Sequence, residues 1–293
     1  MVNLFSAIKE SELFNKMEVS ELLFAEYTCM REETKFGIWS NNNYFAFISA
    51  GRKIWKSIYH SYEVNEGDII FIKKGANLTY QFFDDEFCAI FMFIPDSFIK
   101  DFLKRNTALL TSQKKLSGQD AVLRVQQNEL LYNYYHSIRS YLSLSEKPNK
   151  QLLVLKFEEL LLSLFSSKKH HELTDYFISL CQDRQHQMNR VMEENFSYNL
   201  QLKDYALLCH MSLSTFKKVF KQYYNATPAA WLLQKKLDLA RHKIMTSNVN
   251  ISQLCFECGF EDTSHFIRVF KQKNKLTPHQ YRQQLSKIVH SEA

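Results

Sequence analysis

One pattern occurs twice between residues 200 and 282, and it constrains the fold of this chain more than any other feature. The run Val219-Phe220-Lys221-Gln222 recurs fifty residues later as Val269-Phe270-Lys271-Gln272, and the Thr-Pro pair at 227–228 recurs at 277–278. A short unit repeated once at this distance indicates two copies of one supersecondary element. The C-terminal third is therefore predicted to contain two modules of the same kind.

Each copy is predicted to form two short helices separated by a tight turn. In the first copy, apolar residues at 202, 205, 206 and 209 have helical spacing, His210 interrupts them, and Ser212 is a good N-cap for the next helix. In the second copy the same spacing occupies 251, 254, 255 and 258, after which Gly259 turns and Asp262 or Thr263 starts a helix. Two helices joined in this way form a helix-turn-helix, whose second helix enters a DNA major groove.

The outer faces of the two second helices carry short polar and basic side chains, which can reach base edges and phosphates. These residues are Ser214, Lys217, Lys218 and Lys221 in the first copy and Thr263, Ser264, Arg268 and Lys271 in the second. A single copy could equally be an αα-hairpin with a solvated face, but two basic copies in matching register favour DNA binding. The charge distribution agrees, because the chain from residue 187 onward has 15 Lys+Arg against 8 Asp+Glu, whereas the preceding part has 22 against 23.

The second copy, which runs from Gly259-Phe260 through Arg268 to Thr277-Pro278 and Tyr281, resembles the C-terminal signature of the AraC/XylS family of bacterial transcription regulators. The segment 229–247 between the copies is similar to that family's long connecting helix, with one apolar face formed by Leu232, Leu237, Ala240, Ile244 and Met245. The resemblance implies that recognition helices at about 212–222 and 262–272 enter successive major grooves, about 34 Å apart. It also implies double-stranded DNA and RNA polymerase as partners.

Carried over by position, the resemblance assigns two sets of contacts to DNA. The base-facing set is Ser214, Lys217, Lys218, Thr263, Ser264, Ile267 and Arg268, and the phosphate set is Ser212, Thr215, Lys221 and Lys271. The chain departs from the family at the turns and the connector: His210, Asn225 and Lys275 stand where glycine is usual, and Lys236 replaces an arginine. Asparagine tolerates a left-handed backbone, whereas lysine adopts it only at a cost in free energy. We therefore expect these departures to affect local stability more than function.

The N-terminal part is predicted to be β structure from residue 17 to about 95. Strand-length runs at 17–28, 44–49, 53–64, 69–73, 78–83 and 87–94 are separated by turn signals. The run from Val64 to Gly75 is similar to the turn-strand-turn of cupin-like barrels, which many AraC-family proteins carry. The predicted class is α+β: a cupin-like sensing and dimerisation domain at 1–170, a linker or leading helix at 171–186, and a DNA-binding domain at 187–287.

Aromatic residues in the predicted strands either line a ligand pocket or simply fill the core. The candidate pocket residues are Phe47, Phe71, Tyr80 and Phe91. Lys53, Lys56, Lys73 and Lys74 either bind an anionic ligand or guard edge strands against aggregation. A metal site is not expected, because His60 is the only histidine before residue 100. Cys255 and Cys258 form a C-x-x-C, but they fall on the apolar stripe and are predicted to be core residues.

The segment 151–165 is apolar over more than half of its circumference, so it needs cover on two sides. A helix at this place is the usual dimer contact in the family, and the resemblance therefore points to a homodimer. The predicted contact residues are Leu153, Phe157, Leu160, Leu161 and Leu164. The alternative is a helix buried wholly within one subunit.

The sequence contains no motif of known catalysis or phosphate binding, and no cofactor is expected. No signal peptide and no bilayer-length apolar run are present, which predicts a cytoplasmic protein that does not enter the membrane. The prediction is a transcription regulator, most simply an activator, whose N-terminal domain dimerises and receives a small-molecule signal. Two alternatives remain open: control by an antiactivator protein, and a cupin-type enzyme fused to a DNA-binding tail.

Overall fold

The computed structural model describes residues 1–28, 35–57, 60–81, 86–110 and 120–291, without the side chains of 81 and 285–291. The chain divides into two compact units, residues 1–187 and 188–293. The division falls within one helix, Arg184–Asn195. Within the described residues, no helix combines the length and the apolar character needed to cross a membrane.

The N-terminal unit contains two β-sheets. The first has the strand order β1-β4-β9-β6-β7 and the second the order β11-β8-β5-β10-β3-β2. In chain order the strands are β1 (Val2–Asn3), β2 (Lys16–Val19), β3 (Leu22–Thr28), β4 (Lys35–Ser40), β5 (Asn43–Ala50), β6 (Lys53–Lys56), β7 (Ser61–Val64), β8 (Ile69–Ile72), β9 (Gly75–Gln81), β10 (Cys88–Ile94) and β11 (Val122–Val125). The two sheets confirm the predicted barrel or sandwich.

Helices cover the outer face of the six-stranded sheet. They are α2 (Asp96–Arg105), α3 (Glu129–Leu142), α4 (Lys150–Phe165) and α5 (His171–Ser179), while α1 (Leu4–Glu10) lies between β1 and β2 in the chain. Because side chains alternate along a strand, each strand of this sheet supplies two cores. On β5, Phe45 and Phe47 join the core beneath the helices, whereas Tyr44 and Ile48 join the core between the sheets.

The structure corrects several predicted strands. The run 17–28 is a hairpin of β2 and β3, because Ser20 has a positive φ of 59° and reverses the chain. The run 53–64 is likewise two strands, β6 and β7, paired to each other. The last two residues of the predicted run 78–83 lie outside the described residues. The prediction missed β1, α1, β4 and β11, which are short or follow no clear alternation.

The five residues predicted as the dimer contact lie in the core of their own unit. Leu153, Phe157, Leu160, Leu161 and Leu164 are all buried beneath the sheet and the neighbouring helices. Phe157, for example, packs against Phe24 of β3 with ring centroids 4.2 Å apart. This assignment is therefore wrong, since a second copy cannot reach these side chains. The exposed leucines of α4 are Leu155 and Leu162.

Of the four lysines predicted to bind an anion or to guard edges, Lys53, Lys73 and Lys74 are buried, whereas Lys56 is exposed. Lys53 lies among aromatic rings, with its Nζ 4.6 Å from the ring of Phe87. Lys74 Nζ is 2.7 Å from Asp96 Oδ2, and both side chains are almost fully buried. Such a pair persists in a core only when the remaining polar atoms are also hydrogen-bonded.

Asn43 supplies those hydrogen bonds. Its Nδ2 donates to Asp96 Oδ1 at 2.8 Å, and its Oδ1 accepts from the Lys74 amide at 3.0 Å and from the Tyr176 hydroxyl at 2.6 Å. The network thus joins β5, the β8–β9 turn and the start of α2 to α5. Residues 171–186 were expected to form a linker or leading helix, and within them α5 packs in the N-terminal unit's core through Leu173 and Phe177.

The C-terminal unit is helical. After the end of α6 (Arg184–Asn195) come α7 (Leu202–Leu208), α8 (Leu213–Tyr224), α9 (Pro228–Thr246), α10 (Ile251–Glu257), α11 (Thr263–Asn274) and α12 (Pro278–Ser291). The predicted repeat is therefore confirmed as α7–α8 and α10–α11, joined by α9. Leu237, Ala240 and Ile244 of α9 are buried as predicted, but Met245 is exposed because it lies off this stripe.

Candidate DNA interface

Each recognition helix begins at a side-chain cap. Ser212 Oγ accepts from the Thr215 amide at 3.2 Å at the start of α8, and Asp262 Oδ1 accepts from the His265 amide at 2.5 Å at the start of α11. Such caps satisfy amides that would otherwise lack an intrahelical partner. The first helices of the modules start differently: Asn250 caps α10, and a capping box of Gln201 and Asp204 starts α7.

Four positions at the module turns and helix ends adopt left-handed backbone. His210 and Gly259 turn between the two helices of each module, with φ of 54° and 80°, and Asn225 and Lys275 end the recognition helices, with φ of 49° and 65°. The three positions where glycine is usual in the family, His210, Asn225 and Lys275, are therefore all left-handed in this chain. Lys275 is strained there because its Cβ crowds the following carbonyl, whereas asparagine tolerates this conformation better.

The recognition helices bury one face and expose the other. Phe216 and Phe220 of α8 and Phe266 and Phe270 of α11 are fully buried. Most residues assigned to DNA are exposed, namely Ser212, Ser214, Thr215, Lys217, Lys218 and Lys221 on or beside α8 and Ser264, Arg268 and Lys271 on α11. Thr263 and Ile267 are half-buried. Ile267 also packs against the core of its module, which leaves only part of its side chain for a base contact.

The polar residues of this surface fall into two groups: hydroxyls that hydrogen-bond to one another, and cations that do not. Ser212 donates to Thr215 Oγ1 at 2.9 Å and lies 3.1 Å from Ser214 Oγ, so these hydroxyls already contact one another. The ammonium groups of α8 and the Arg268 guanidinium have no hydrogen bond or ion pair to the described part of the chain. The cations are therefore the groups most ready to contact DNA.

The turn of the second module is held by two neighbours. Lys236 of α9 donates from Nζ to Gly259 O at 2.7 Å, and its ammonium lies 5.8 Å from the centroid of the Phe260 ring. Burial removes water from the Lys236 ammonium, which disfavours its charged form and lowers the pKa of Lys236. On the other side, a Cβ at Gly259 would lie 2.3 Å from Ser197 O, so the turn touches the backbone that precedes α7.

A side-chain hydrogen bond from Asn199 to Glu261 accompanies this contact. Sequence reasoning missed Ser197 and Asn199, because a backbone contact leaves no mark in a sequence pattern. The only signal available was Gly259 itself, which marks close backbone approach as well as a turn. The segment 197–199 and α9 thus fix the second module relative to the rest of its unit.

Cys255 and Cys258 are core residues, as predicted. Both are fully buried in the core of the second module, and burial raises the pKa of the Cys258 thiol to about 12 and also raises the pKa of Cys255. Among the described residues, no group of three or more His, Cys, Asp or Glu side chains is placed to hold a metal ion. His60 instead pairs with Asp120, with Nδ1 2.6 Å from Oδ1.

The four predicted pocket residues do not share one cavity. Phe47 and Phe71 lie beneath the helices, whereas Phe91 faces the opposite side of the same sheet. Tyr80 is half-buried on β9, in the other sheet, with the Lys35 ammonium 5.4 Å from its ring. Of the four, Phe47 alone lines the pocket of 220 Å³ beside α3 in the N-terminal unit. Phe71 and Phe91 fill the two cores, which was the alternative interpretation.

Two helix-turn-helix modules, each with an exposed basic recognition helix, define a DNA-binding transcription regulator. A model described as a helix-turn-helix domain matches residues 205–284, and one described as the ExsA N-terminal regulatory domain matches residues 43–176. The chain thus combines an AraC-type helix-turn-helix domain with an ExsA-like N-terminal regulatory domain, and its relatives are regulators of the AraC family.

Curated relatives span most of the chain. The virulence regulon transcriptional activator VirF of Yersinia enterocolitica is 26% identical over 81% of this chain and 87% of its own length. The transcriptional regulator ExsA of Pseudomonas aeruginosa is 23% identical over 78% of this chain and 91% of its own. Among solved structures, ToxT of Vibrio cholerae is 17% identical with a TM-score of 0.43, covering 89% of this chain and 97% of ToxT.

Proposed function

We propose that this protein is a transcriptional activator that places α8 and α11 in successive major grooves of one operator. The base contacts come from Ser214, Lys217, Lys218, Thr263, Ser264, Ile267 and Arg268, and the phosphate contacts from Ser212, Thr215, Lys221 and Lys271. The observation that carries this proposal is the repeat itself: two capped helices expose cations at matching positions without engaging them elsewhere in the described chain.

The two kinds of contact have different consequences for binding. A guanidinium can bond two acceptors of a guanine edge at once, so Arg268 contributes to sequence choice. A lysine ammonium on a phosphate contributes equally to every sequence and releases a counterion. Arg268→Ala is therefore expected to weaken specific binding by about 1–3 kcal/mol, and Lys221→Ala to lower the salt dependence by about one unit on all sequences.

Footprinting upstream of the protein's own gene locates the operator, and titrations on operator and random duplex at several salt concentrations measure both variants. Lys273→Ala is the matched control, because Lys273 is an exposed cation of α11 that lies on a different side from Arg268 and Lys271. It should leave base preference unchanged. An unchanged preference in Arg268→Ala, or a loss confined to the operator in Lys221→Ala, would contradict the assignments.

The activator role follows the printed names of the relatives, several of which are transcriptional activators, and an activator acts through RNA polymerase. The match of residues 43–176 to a regulatory domain supports reception of a signal by the N-terminal unit. The signal is a small molecule or, as the alternative, an antiactivator protein. Because the target is bacterial DNA, the protein acts in the cytoplasm.

We regard the protein as a regulator without enzymatic activity, in keeping with the regulators to which it is related. The competing idea is a metal-dependent cupin-type enzyme. Metal analysis of the purified protein separates the two, since a stoichiometric iron, manganese or zinc ion would favour the enzyme.

We also propose a homodimer, with a corrected contact surface on α4. Leu155 and Leu162 are 57% and 49% exposed, and their spacing of seven residues places them on one stripe of the helix. A stripe of this spacing can pack against its own copy. Leu162→Glu should shift the protein towards monomer in sedimentation, whereas Leu13→Glu, at an exposed leucine outside α4, should not. An unshifted Leu162→Glu would rule out this surface.

A further inference from the structure

A pocket opens on the N-terminal unit where α3 passes the turn before β8. Its volume is 220 Å³, and its lining comes from the end of β5, the turn 66–68 and one face of α3. Pockets for drug-sized ligands measure about 300–1,000 Å³, so this smaller pocket suits a small metabolite. Gly67 in the turn has open space where a side chain would stand, which leaves this edge of the pocket accessible.

The apolar part of the pocket is aromatic. Tyr135 stacks on Phe47, with ring centroids 5.6 Å apart and planes 7° from parallel. Tyr132 adds a third ring, which is half exposed and lies 4.3 Å from the ring of His136. Rings fixed by stacking offer apolar surface without loss of side-chain freedom when a ligand binds, so they favour a planar or branched apolar group.

The charged side chains of the pocket come from two elements of the chain. Glu66 lies on the turn, whereas His136 and Arg139 lie on α3. The carboxylate of Asp68 is already matched by Arg124, 3.0 Å away. In the described structure no ion pair joins Glu66 to His136 or Arg139, so one carboxylate and one guanidinium remain for a ligand.

We propose that this pocket binds a free α-amino acid with an aromatic or branched apolar side chain. Glu66 accepts hydrogen bonds from the ammonium, Arg139 with His136 donates to the carboxylate, and the side chain lies against Phe47, Tyr132 and Tyr135. Charge-assisted hydrogen bonds at both ends fix the orientation of the ligand. The inference rests on the proposed regulatory role of the N-terminal unit, and it names the chemical class of that unit's signal.

The test is calorimetric titration of the full chain with L-phenylalanine, L-tyrosine, L-tryptophan and L-leucine. We expect at least one of them to saturate a single site per chain. N-acetyl-L-phenylalanine lacks the ammonium and L-phenylalaninamide lacks the carboxylate, so each should bind about tenfold more weakly than its parent, or more weakly still. Absence of saturable binding by all four amino acids, or analogues that bind as tightly as L-phenylalanine, would overturn the proposal.

Two variants locate the site. Glu66→Gln and Arg139→Gln should each weaken binding about tenfold, because each removes one charged partner while keeping hydrogen-bonding capacity. Glu129→Gln on α3 and Arg184→Gln are matched controls, since both residues are exposed and lie outside the pocket. Circular dichroism verifies that all four variants fold. Binding that survives both pocket substitutions would place the amino acid elsewhere and refute this site.

The outcome is separable from that of the proposed function. The titration reports heat from ligand binding without any DNA, whereas the Arg268→Ala experiment reports base preference without any ligand. If the protein failed to bind an operator, the pocket could still bind an amino acid, but that binding would not regulate transcription. Failure of the titration would leave the DNA contacts untouched and favour an antiactivator protein as the signal.

Discussion

Gly259→Ala is the substitution that tests most directly how the second module is held. Gly259 has φ of 80°, and an added Cβ would lie 2.3 Å from Ser197 O and 2.7 Å from Ser197 C. A left-handed alanine costs about 1–2 kcal/mol. Forcing an extra carbon into a packed contact costs about 1–3 kcal/mol more. The substitution should therefore destabilise the C-terminal unit by roughly 2–5 kcal/mol in total.

Gly67→Ala is the matched control for backbone strain. Gly67 has φ of 85°, but nothing lies within 4 Å of the position that an added Cβ would take, so only the strain of the left-handed backbone applies. Hydrogen exchange measured by mass spectrometry on the full chain reports the opening free energy of each turn separately. The opening free energy of the turn should fall further in Gly259→Ala than in Gly67→Ala, and the difference is the cost of the Ser197 contact.

DNA binding gives the second readout. A displaced α10–α11 turn moves α11 relative to α8, so operator affinity should fall, whereas binding to random duplex should persist because the lysines are untouched. Equal opening free energies for the two glycine variants would show that Ser197 does not restrain the turn. Full operator affinity in a destabilised Gly259→Ala would show that this contact does not set the position of α11.

Three further predictions concern other parts of the molecule. Lys74→Met should destabilise the N-terminal unit by about 3–5 kcal/mol in urea unfolding, because it removes the cation that pairs with the buried Asp96 carboxylate. A loss below about 1 kcal/mol would show that this ion pair does not stabilise the unit. Burial lowers the pKa of His170, so the folded unit binds a proton less readily than the unfolded chain. The contribution of His170 to the free energy of unfolding should therefore be fully present above the ordinary pKa of about 6.5 and decline as the pH falls below it. His170→Gln should reduce this pH dependence of the unfolding free energy, measured by denaturant unfolding from about pH 5 to 8. Lys275→Gly should raise the melting temperature of the C-terminal unit by relieving about 1 kcal/mol of strain, and a lower melting temperature would count against left-handed strain there.

The C-terminal unit was predictable because local signals agree with one another there. The caps at Ser212, Asn250 and Asp262, the buried phenylalanines and the unusual residues at the turns all follow from short-range patterns that occur twice. The exposed cations follow from the same helical spacing. The contact between Gly259 and Ser197 was not predictable, since it joins backbone atoms that are distant in the sequence.

The N-terminal unit shows where sequence patterns lose information. Helix α4 is apolar on nearly every side, so spacing alone could not tell the face that packs on the sheet from the one that carries Leu155. Lysine in a strand or a turn suggests exposure, yet Lys53 and Lys74 are buried because aromatic rings surround the first and the Asp96 carboxylate pairs with the second. The pocket beside α3 likewise combines residues from three separate parts of the chain.

The sequestered thiols of Cys255 and Cys258 have a consequence for chemical stress. Only thiolates react readily with peroxides and electrophiles, and a thiol whose pKa is about 12 is almost wholly protonated at neutral pH. Oxidants that inactivate regulators with accessible low-pKa cysteines should therefore leave the second module of this protein intact. A cell under oxidative attack would therefore keep these two thiols of the second module reduced.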